Sequence, residues 1–182
     1  MDARRDAGVG AASFVVRARE LVVRDFHGCV ATVGSLSLEP GAFNVIPGRA
    51  RLALEFRALE PAQLDALEEA LLGLARREAE AHGLALEIDP VGSWEPTPLD
   101  AGARAAIARA ADTLGLSTID LPSGAGHDAQ ALASVTRSGM IFVPSRGGVS
   151  HQGAEHTAWS DCVNGANVLL EAALDLARST PK

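Results

Sequence analysis

The chain has 182 residues and a formal net charge of −7. Of its residues, 47% are hydrophobic and only 4% are aromatic. Acidic and basic residues are interspersed without a basic cluster, which excludes the usual nucleic-acid interface, and no run reaches the ~18 apolar residues of a membrane span. We therefore expect a protein of one or two domains, built from Leu, Val, Ile and Ala, with no nucleic-acid or membrane partner. Cys29 and Cys162 are far apart and outside any C-x-x-C pattern, which predicts reduced thiols and a cytoplasmic protein.

The first part of the chain predicts one helix followed by two strands. Apolar residues recur at three- and four-residue steps over residues 7–22, as in an amphipathic helix. Residues 28–38 and 44–58 are predicted to form strands that are joined across the turn sequence at 39–41. In the second strand, one face carries the apolar side chains Leu52, Leu54 and Phe56.

A second helix and a third strand follow. Pro61 fits the first turn of a helix, and Gly83 ends the apolar helical series. Residues 84–89 alternate between apolar and polar side chains, which predicts a strand. The resulting order, α-β-β-α-β, is a ferredoxin-like α+β layer that lacks its first strand.

A domain boundary is predicted at residues 92–98, where Thr97 can cap a helix that has Pro98 at its first position. This divides the chain into domains 1–96 and 97–182. The second domain alternates strand and helix, which indicates a parallel α/β layer. Its predicted elements are a helix to about Leu114, strands at 117–121 and 140–143, a short helix after Asp128, and a helix over 160–177.

Two glycine-rich loops in the second domain carry histidines. His127 lies in Ser-Gly-Ala-Gly-His-Asp, residues 123–128, and His151 lies in the loop 147–157. Both loops follow predicted strands, and sites in open α/β sheets form beyond the carboxyl ends of strands. His151 is a candidate metal ligand, although a lone loop histidine is more often a surface residue and zinc takes about four ligands. The chain has neither H-E-x-x-H nor H-x-D.

Other candidate side chains have simpler alternatives. Ser123 with His127 and Asp128 could suggest a hydrolytic triad, but Ser123 is not in a G-x-S-x-G elbow, which disfavours that interpretation. Arg57 could hold a carboxylate through two parallel hydrogen bonds, and Asn44 could add another. The alternative for Arg57 is an arginine that is only solvated on a strand.

Three segments occur together in a specific order. They are Asn44-Val45-Ile46-Pro47-Gly48 with Arg57, the segment 123–129, and Ser150-His151 with Glu155. In this combination they resemble the N-carbamoyl-L-amino-acid hydrolase, allantoate amidohydrolase and β-ureidopropionase family. Its members are two-metal amidohydrolases of the aminoacylase and carboxypeptidase superfamily, and the resemblance covers nearly the whole chain.

The resemblance implies roles for individual residues. Residues 1–96 would be a partial lid, or dimerisation, domain, and residues 97–182 the carboxyl-terminal part of the catalytic α/β domain. Asn44 and Arg57 would hold the carboxylate of a small amide substrate, often in a neighbouring subunit's site. Gly126 and His127 would contact substrate near the scissile amide, with His127 as the catalytic candidate. His151 would be the last ligand of a divalent metal, which is zinc or manganese, or alternatively cobalt or nickel.

The resemblance also implies that much of the family's machinery lies outside this sequence. The other metal ligands, the glutamate base and a lid-strand histidine have no counterpart in it. We therefore expect the isolated chain to be inactive towards N-carbamoyl-amino acids, ureido acids or allantoate, and to form a homodimer through its lid. Two alternatives are a non-catalytic module that dimerises or binds carboxylates, and a truncated gene product.

Overall fold

The computed structural model describes residues 1 and 3–179 and divides the chain into two compact units, residues 1–96 and 97–182. The elements of the first unit are α1 (Ala7–Asp25), β1 (Val30–Glu39), β2 (Arg49–Arg57) and α2 (Pro61–Ala81). Those of the second are α3 (Ala101–Thr113), α4 (Asp128–Leu132), a 3-10 turn (Arg146–Gly148) and α5 (Trp159–Ser179). The chain is therefore a mixed α/β protein. No helix in the described part is both long and apolar enough to cross a bilayer.

Local sequence signals set the ends of both helices in the first unit. Asp6 caps α1, because its carboxylate accepts hydrogen bonds from the N–H groups of Gly8 and Val9 at 2.9 and 3.2 Å. Pro61 occupies the first turn of α2, as predicted, where its missing N–H costs no hydrogen bond. Gly83, with φ +63°, follows the last turn of α2 in the left-handed conformation that favours glycine.

The two strands form an antiparallel hairpin in which Val30 pairs with Arg57 and Glu39 pairs with Arg49. A bulge lies between Val33 and Ser35. One face of the hairpin packs against α1 and α2, and the predicted apolar face of β2 lies on this side. The core consists of buried side chains from the two helices, packed against half-buried strand residues: Phe14, Ala18, Val22, Leu67, Leu71 and Leu74, with Val33, Leu52, Leu54 and Phe56.

The predicted third strand at 84–89 is not formed. The sheet contains only β1 and β2 within the described residues, and no backbone hydrogen bond joins 84–89 to either strand. Leu84 instead donates its N–H to the carbonyl of Ala79 at 2.8 Å, which completes the end of α2. Alternating side chains favour a strand, but a strand also requires a neighbour with free backbone groups.

The second unit is built around α3 and α5. Its core consists mainly of small side chains, which are Ala110, Ala111, Val168 and Ala172, with Ile107, Leu116 and Ile141 packed against them. Two glycines allow close approach: a Cβ on Gly139 would lie 3.0 Å from Ile107 Cδ1, and one on Gly165 would overlap Val143. The segment 139–143 therefore lies directly against both helices.

Three expectations for the second unit are wrong. The segments 117–121 and 140–143 are not strands, because no other segment of the described chain pairs with their backbone groups. The predicted parallel sheet is consequently absent from the part that the structure describes. Helix α3 is capped by Asp100 rather than Thr97, since the Asp100 carboxylate accepts the Ala103 N–H at 2.8 Å. Pro98 thus precedes the helix.

Candidate functional site

Arg57 lies at the carboxyl end of β2, on the face of the hairpin opposite the helices. Its guanidinium forms an ion pair with Glu55, which is two residues earlier on the same strand face. Both side chains are about half exposed. A planar, fixed-charge guanidinium in this setting can hold an incoming carboxylate, but that carboxylate must share or displace Glu55.

Asn44 does not begin β2, as the sequence suggested, but lies exposed in the connection between the strands. This connection is held at the tip of the hairpin, since Gly48 donates its N–H to the Glu39 carbonyl at 3.0 Å. Arg57 is at the other end of β2, and nine residues in a strand span roughly 26 Å. Within one copy of the chain, the hairpin therefore keeps Asn44 and Arg57 apart.

His127 immediately precedes α4, and its imidazole contacts an aromatic ring of the neighbouring segment. The ring centroids of His127 and Phe142 are 5.8 Å apart with an interplanar angle of 69°, an edge-on arrangement that is favourable for aromatic pairs. Gly126 precedes His127 in a turn with room for a side chain, since a Cβ there would meet only Gln130 Oε1, at an ordinary contact distance of 3.8 Å. Phe142 thus limits the directions that the imidazole can take.

Ser123 uses its hydroxyl within its own loop. Its Oγ donates to the carbonyl of Ala125 at 2.8 Å and accepts the N–H of the same residue at 3.2 Å. No hydrogen bond joins Ser123 to His127 among the described residues. This geometry closes the turn that presents Gly126 and His127, and it agrees with the sequence argument against a serine nucleophile.

His151 is exposed at the tip of the second glycine-rich loop. Its backbone adopts φ +57°, and its N–H donates to the Glu155 carboxylate at 2.8 Å. Gly147 and Gly148, with φ of +65° and +69°, form the preceding turn, which residues with a Cβ enter only with strain. The imidazole is therefore presented from a loop whose backbone has a defined conformation.

These residues alone do not amount to a metal centre. The described residues contain no group of three or more His, Cys, Asp or Glu side chains that could hold an ion. A zinc site takes about four ligands, of which three or more usually come from the protein. His151 is the candidate ligand, and the described residues do not place two further ligand side chains around it.

Three contacts of the predicted residues were not predicted from the sequence, although Glu155 itself was grouped with His151. Glu55 pairs with Arg57, Phe142 contacts the His127 ring, and the Glu155 carboxylate binds the His151 main chain. The Glu55 pair could have been found from the two-residue spacing on one strand face. The other two depend on how loops fold, and no local pattern indicates them.

Comparisons with known proteins identify the family. A model described as peptidase family M20/M25/M40 matches residues 6–175. The chain is 35% identical over 178 residues to an N-carbamoyl-L-amino-acid amidohydrolase from Paenarthrobacter aurescens, covering 98% of this chain and 43% of that protein. It is 34% identical over 146 residues to an allantoate amidohydrolase from Bacillus subtilis, covering 80% of this chain and 35% of the relative.

A solved structure supports the same assignment. An amidase of the hydantoinase/carbamoylase family from Burkholderia vietnamiensis matches with a TM-score of 0.87 and 37% identity, over 94% of this chain and 42% of that one. The chain thus spans less than half the length of the relatives it matches. The predicted resemblance is confirmed, and enzymes of this family are generally metal-dependent. The chain belongs to the peptidase family M20/M25/M40, within which the relatives it matches include amidohydrolases.

Proposed function

We propose that the chain is the lid and the carboxyl-terminal catalytic part of an amidohydrolase that cleaves a linear C–N amide. One observation carries this proposal: 98% of the chain matches an N-carbamoyl-L-amino-acid amidohydrolase, yet it accounts for only 43% of that protein. In this proposal residues 1–96 form the partial lid and residues 97–182 the catalytic part. The division of the chain after Pro96 is compatible with these two roles.

The segments that failed to form strands support a role within a larger fold. Residues 84–89, 117–121 and 140–143 have strand-like sequences, but their backbone groups have no strand partner in the described chain. Large apolar side chains in them are exposed, including Ile119 at 78% and Phe142 at 52%. Exposed strand-like segments with unpaired backbone groups are templates for further strands, so polypeptide that added strands would pair with these segments and cover them.

The residues of the first unit would bind the substrate's carboxylate. Arg57 supplies a fixed positive charge and a fork of N–H donors, and Glu55 keeps that fork oriented until a ligand carboxylate replaces it. Asn44 lies at the other end of the hairpin, so it would serve a different carboxylate, such as one bound in the site of a second copy. In the proposed homodimer, Arg57 at one end of the hairpin and Asn44 at the other would each bind a substrate carboxylate.

The residues of the second unit would act near the scissile amide. The open turn at Gly126 lets a substrate approach the backbone, and His127 presents an imidazole that can exchange hydrogen bonds with the amide. His151 would ligate a divalent metal, whose chemistry in such enzymes is to polarise a carbonyl and activate water. Because the described residues do not bring three or more ligand side chains together, we expect no turnover by the chain alone.

The substrate class follows from these groups and from the relatives. N-carbamoyl-amino acids, ureido acids and allantoate all join a carboxylate to a linear amide of carbamic type. The Arg57 guanidinium would bind the carboxylate, and the loops at His127 and His151 would contact the amide. The names of the relatives include activities on two of these substrates, N-carbamoyl-L-amino acids and allantoate.

A second candidate is a non-catalytic module that dimerises or binds carboxylates. Both edges of the β1–β2 hairpin are unpaired within the described chain, and Leu36 and Leu38 of β1 are 45% and 39% exposed. Exposed strand edges favour association with another chain. Translating the DNA upstream of the Met1 codon separates the candidates: an in-frame H-x-D motif with paired acidic residues supports the enzyme, and its absence favours the module or a truncated gene product.

Arg57 provides the sharpest test of the substrate site. The chain would be joined to the amino-terminal part of the Paenarthrobacter aurescens relative, and hydrolysis of an N-carbamoyl-L-amino acid would be measured for Arg57→Ala. Loss of a charge-assisted bond predicts a KM increase of about ten- to a hundredfold. Arg51→Ala is the matched control, because Arg51 lies on the same strand face but pairs with Glu39. An unchanged KM for Arg57→Ala would remove Arg57 from the site.

A further inference from the structure

The loop that carries His151 is closed by its own main chain. The Arg146 N–H donates to the carbonyl of His156 at 2.8 Å, which joins the two ends of the loop. The hydroxyl of Ser145 donates to the carbonyl of Val149 at 2.6 Å. These bonds fix the base of the loop, whereas the tip around His151 is exposed. The bonds at the base do not fix the backbone of His151 at the tip, so a separate contact is needed to restrain it.

His151 has a backbone conformation that its side chain disfavours. Its φ of +57° makes it the one residue other than glycine with positive φ among the described residues. A residue with a Cβ enters this left-handed region only at a cost, and such strain persists where surrounding contacts over-determine the backbone. Without a restraint, we expect negative φ to become more populated at His151 and the imidazole to take a wider range of directions.

Glu155 provides the restraint. Its Oε2 accepts the His151 N–H at 2.8 Å, and its own N–H donates to the carbonyl of Gln152 at 2.9 Å, which places the carboxylate beneath the tip. We propose that Glu155 is a positioning residue, whose carboxylate holds His151 in the left-handed conformation and so sets the direction of the imidazole. The functional meaning of that direction rests on the proposed role of His151 as a metal ligand, but the restraint itself does not.

Nuclear magnetic resonance of the 15N-labelled chain tests the restraint without metal or substrate. A positive φ brings the amide proton of His151 close to its own Hα, so the parent chain should give a strong intraresidue cross-peak. In Glu155→Ala this cross-peak should weaken, and exchange of the His151 amide should become about tenfold faster, because a bond to a charged acceptor is lost. Glu155→Gln keeps a neutral acceptor oxygen and should change both in the same direction by a smaller amount. Glu171→Gln, at an exposed position in α5, is the control and should change neither.

A His151→Gly background separates positioning from general loop stability. Glycine enters the left-handed region freely, so removing Glu155 should shift the amide signals of Ser150 and Gln152 less in this background than in the parent. Equal shifts in both backgrounds would mean that Glu155 only stabilises the loop and would overturn the proposal. A parent chain with negative φ at His151, or a Glu155→Ala variant that keeps the strong cross-peak, would also overturn it.

The test remains decisive in two difficult cases. If Glu155→Ala does not fold, Glu155→Gln preserves side-chain shape, and its cross-peak intensity and amide exchange at His151 are compared with those of the parent. If the enzyme completed with a relative's amino-terminal part binds no metal, the proposed function fails while the magnetic resonance result still stands. The two failures are therefore distinguishable.

Discussion

Replacement of Glu78 should destabilise the first unit by a measurable amount. Glu78 is only 3% exposed, and its side chain points from α2 towards α1. One carboxylate oxygen accepts the Ser13 hydroxyl at 2.6 Å, and the other accepts the Arg17 guanidinium at 2.7 Å. Both bonds join the two helices that pack on the hairpin, so each oxygen of the Glu78 carboxylate has a hydrogen-bond donor on α1.

The size of the effect follows from these two contacts. The Ser13 hydroxyl donates to a charged acceptor in a part-buried setting, which contributes about 1.5–3 kcal/mol. The Arg17 side chain is 61% exposed, so solvent screens its ion pair to about 0–1 kcal/mol. We expect Glu78→Ala to reduce the free energy of unfolding by about 2–3 kcal/mol at neutral pH.

The same contacts predict how this contribution varies with pH. The Ser13 hydrogen bond lowers the pKa of Glu78 from its ordinary value of 4.5, burial opposes the shift, and Arg17 lowers the pKa further. A group with a lowered folded-state pKa stabilises the native state above its unfolded pKa and loses that effect as pH falls through the folded value. The cost of Glu78→Ala should therefore shrink as the pH falls below about 4.5.

Urea unfolding of the parent chain, Glu78→Ala and Glu78→Gln at neutral pH and at about pH 3.5 measures both effects. Glu80→Gln, an exposed carboxylate on the same helix, is the control and should be close to neutral. A neutral-pH loss below about 0.5 kcal/mol would refute the reasoning, since surface substitutions already reach that size. So would a loss that does not decrease in acid.

Three further changes probe the second unit. Asp100→Ala removes the cap of α3 and should reduce the free energy of unfolding by about 1 kcal/mol in urea, whereas an unchanged midpoint would argue against the cap. Gly165→Val places a side chain against Val143 and should cost about 1–3 kcal/mol; a stabilised variant would contradict the close packing. Phe142→Ala removes the ring beside His127, so the imidazole proton signals of His127 should move, and unmoved signals would exclude the contact.

Signals that act over a few residues were sufficient to predict the helices and the hairpin. Pro61 and Gly83 mark the ends of α2 because a proline needs no N–H bond in the first turn and a glycine readily adopts positive φ after the last one. Alternation around Leu54 identified the buried face of β2 for the same reason, since the two-residue period of a strand is a local property. These features need no knowledge of distant residues.

Pairing over long distances could not be predicted from local pattern. The alternation in 84–89 and the apolar run in 140–143 both favour strands, but a strand forms only beside a partner, and the described chain offers none. The ion pair of Arg57 with Glu55 is different, because the two-residue spacing on one strand face is a local signal from which that pair could have been found. The left-handed backbone of His151 and its bond to Glu155 depend on the folded loop rather than on residue type.

The decisive measurement is turnover by the chain alone, compared with turnover by the completed enzyme. The 182-residue chain and the same chain joined to the amino-terminal part of the Paenarthrobacter aurescens relative would each be loaded with zinc or manganese and assayed for release of ammonia from an N-carbamoyl-L-amino acid. We expect turnover by the joined protein and none by the chain alone. Turnover by the isolated chain with stoichiometric metal would contradict this expectation.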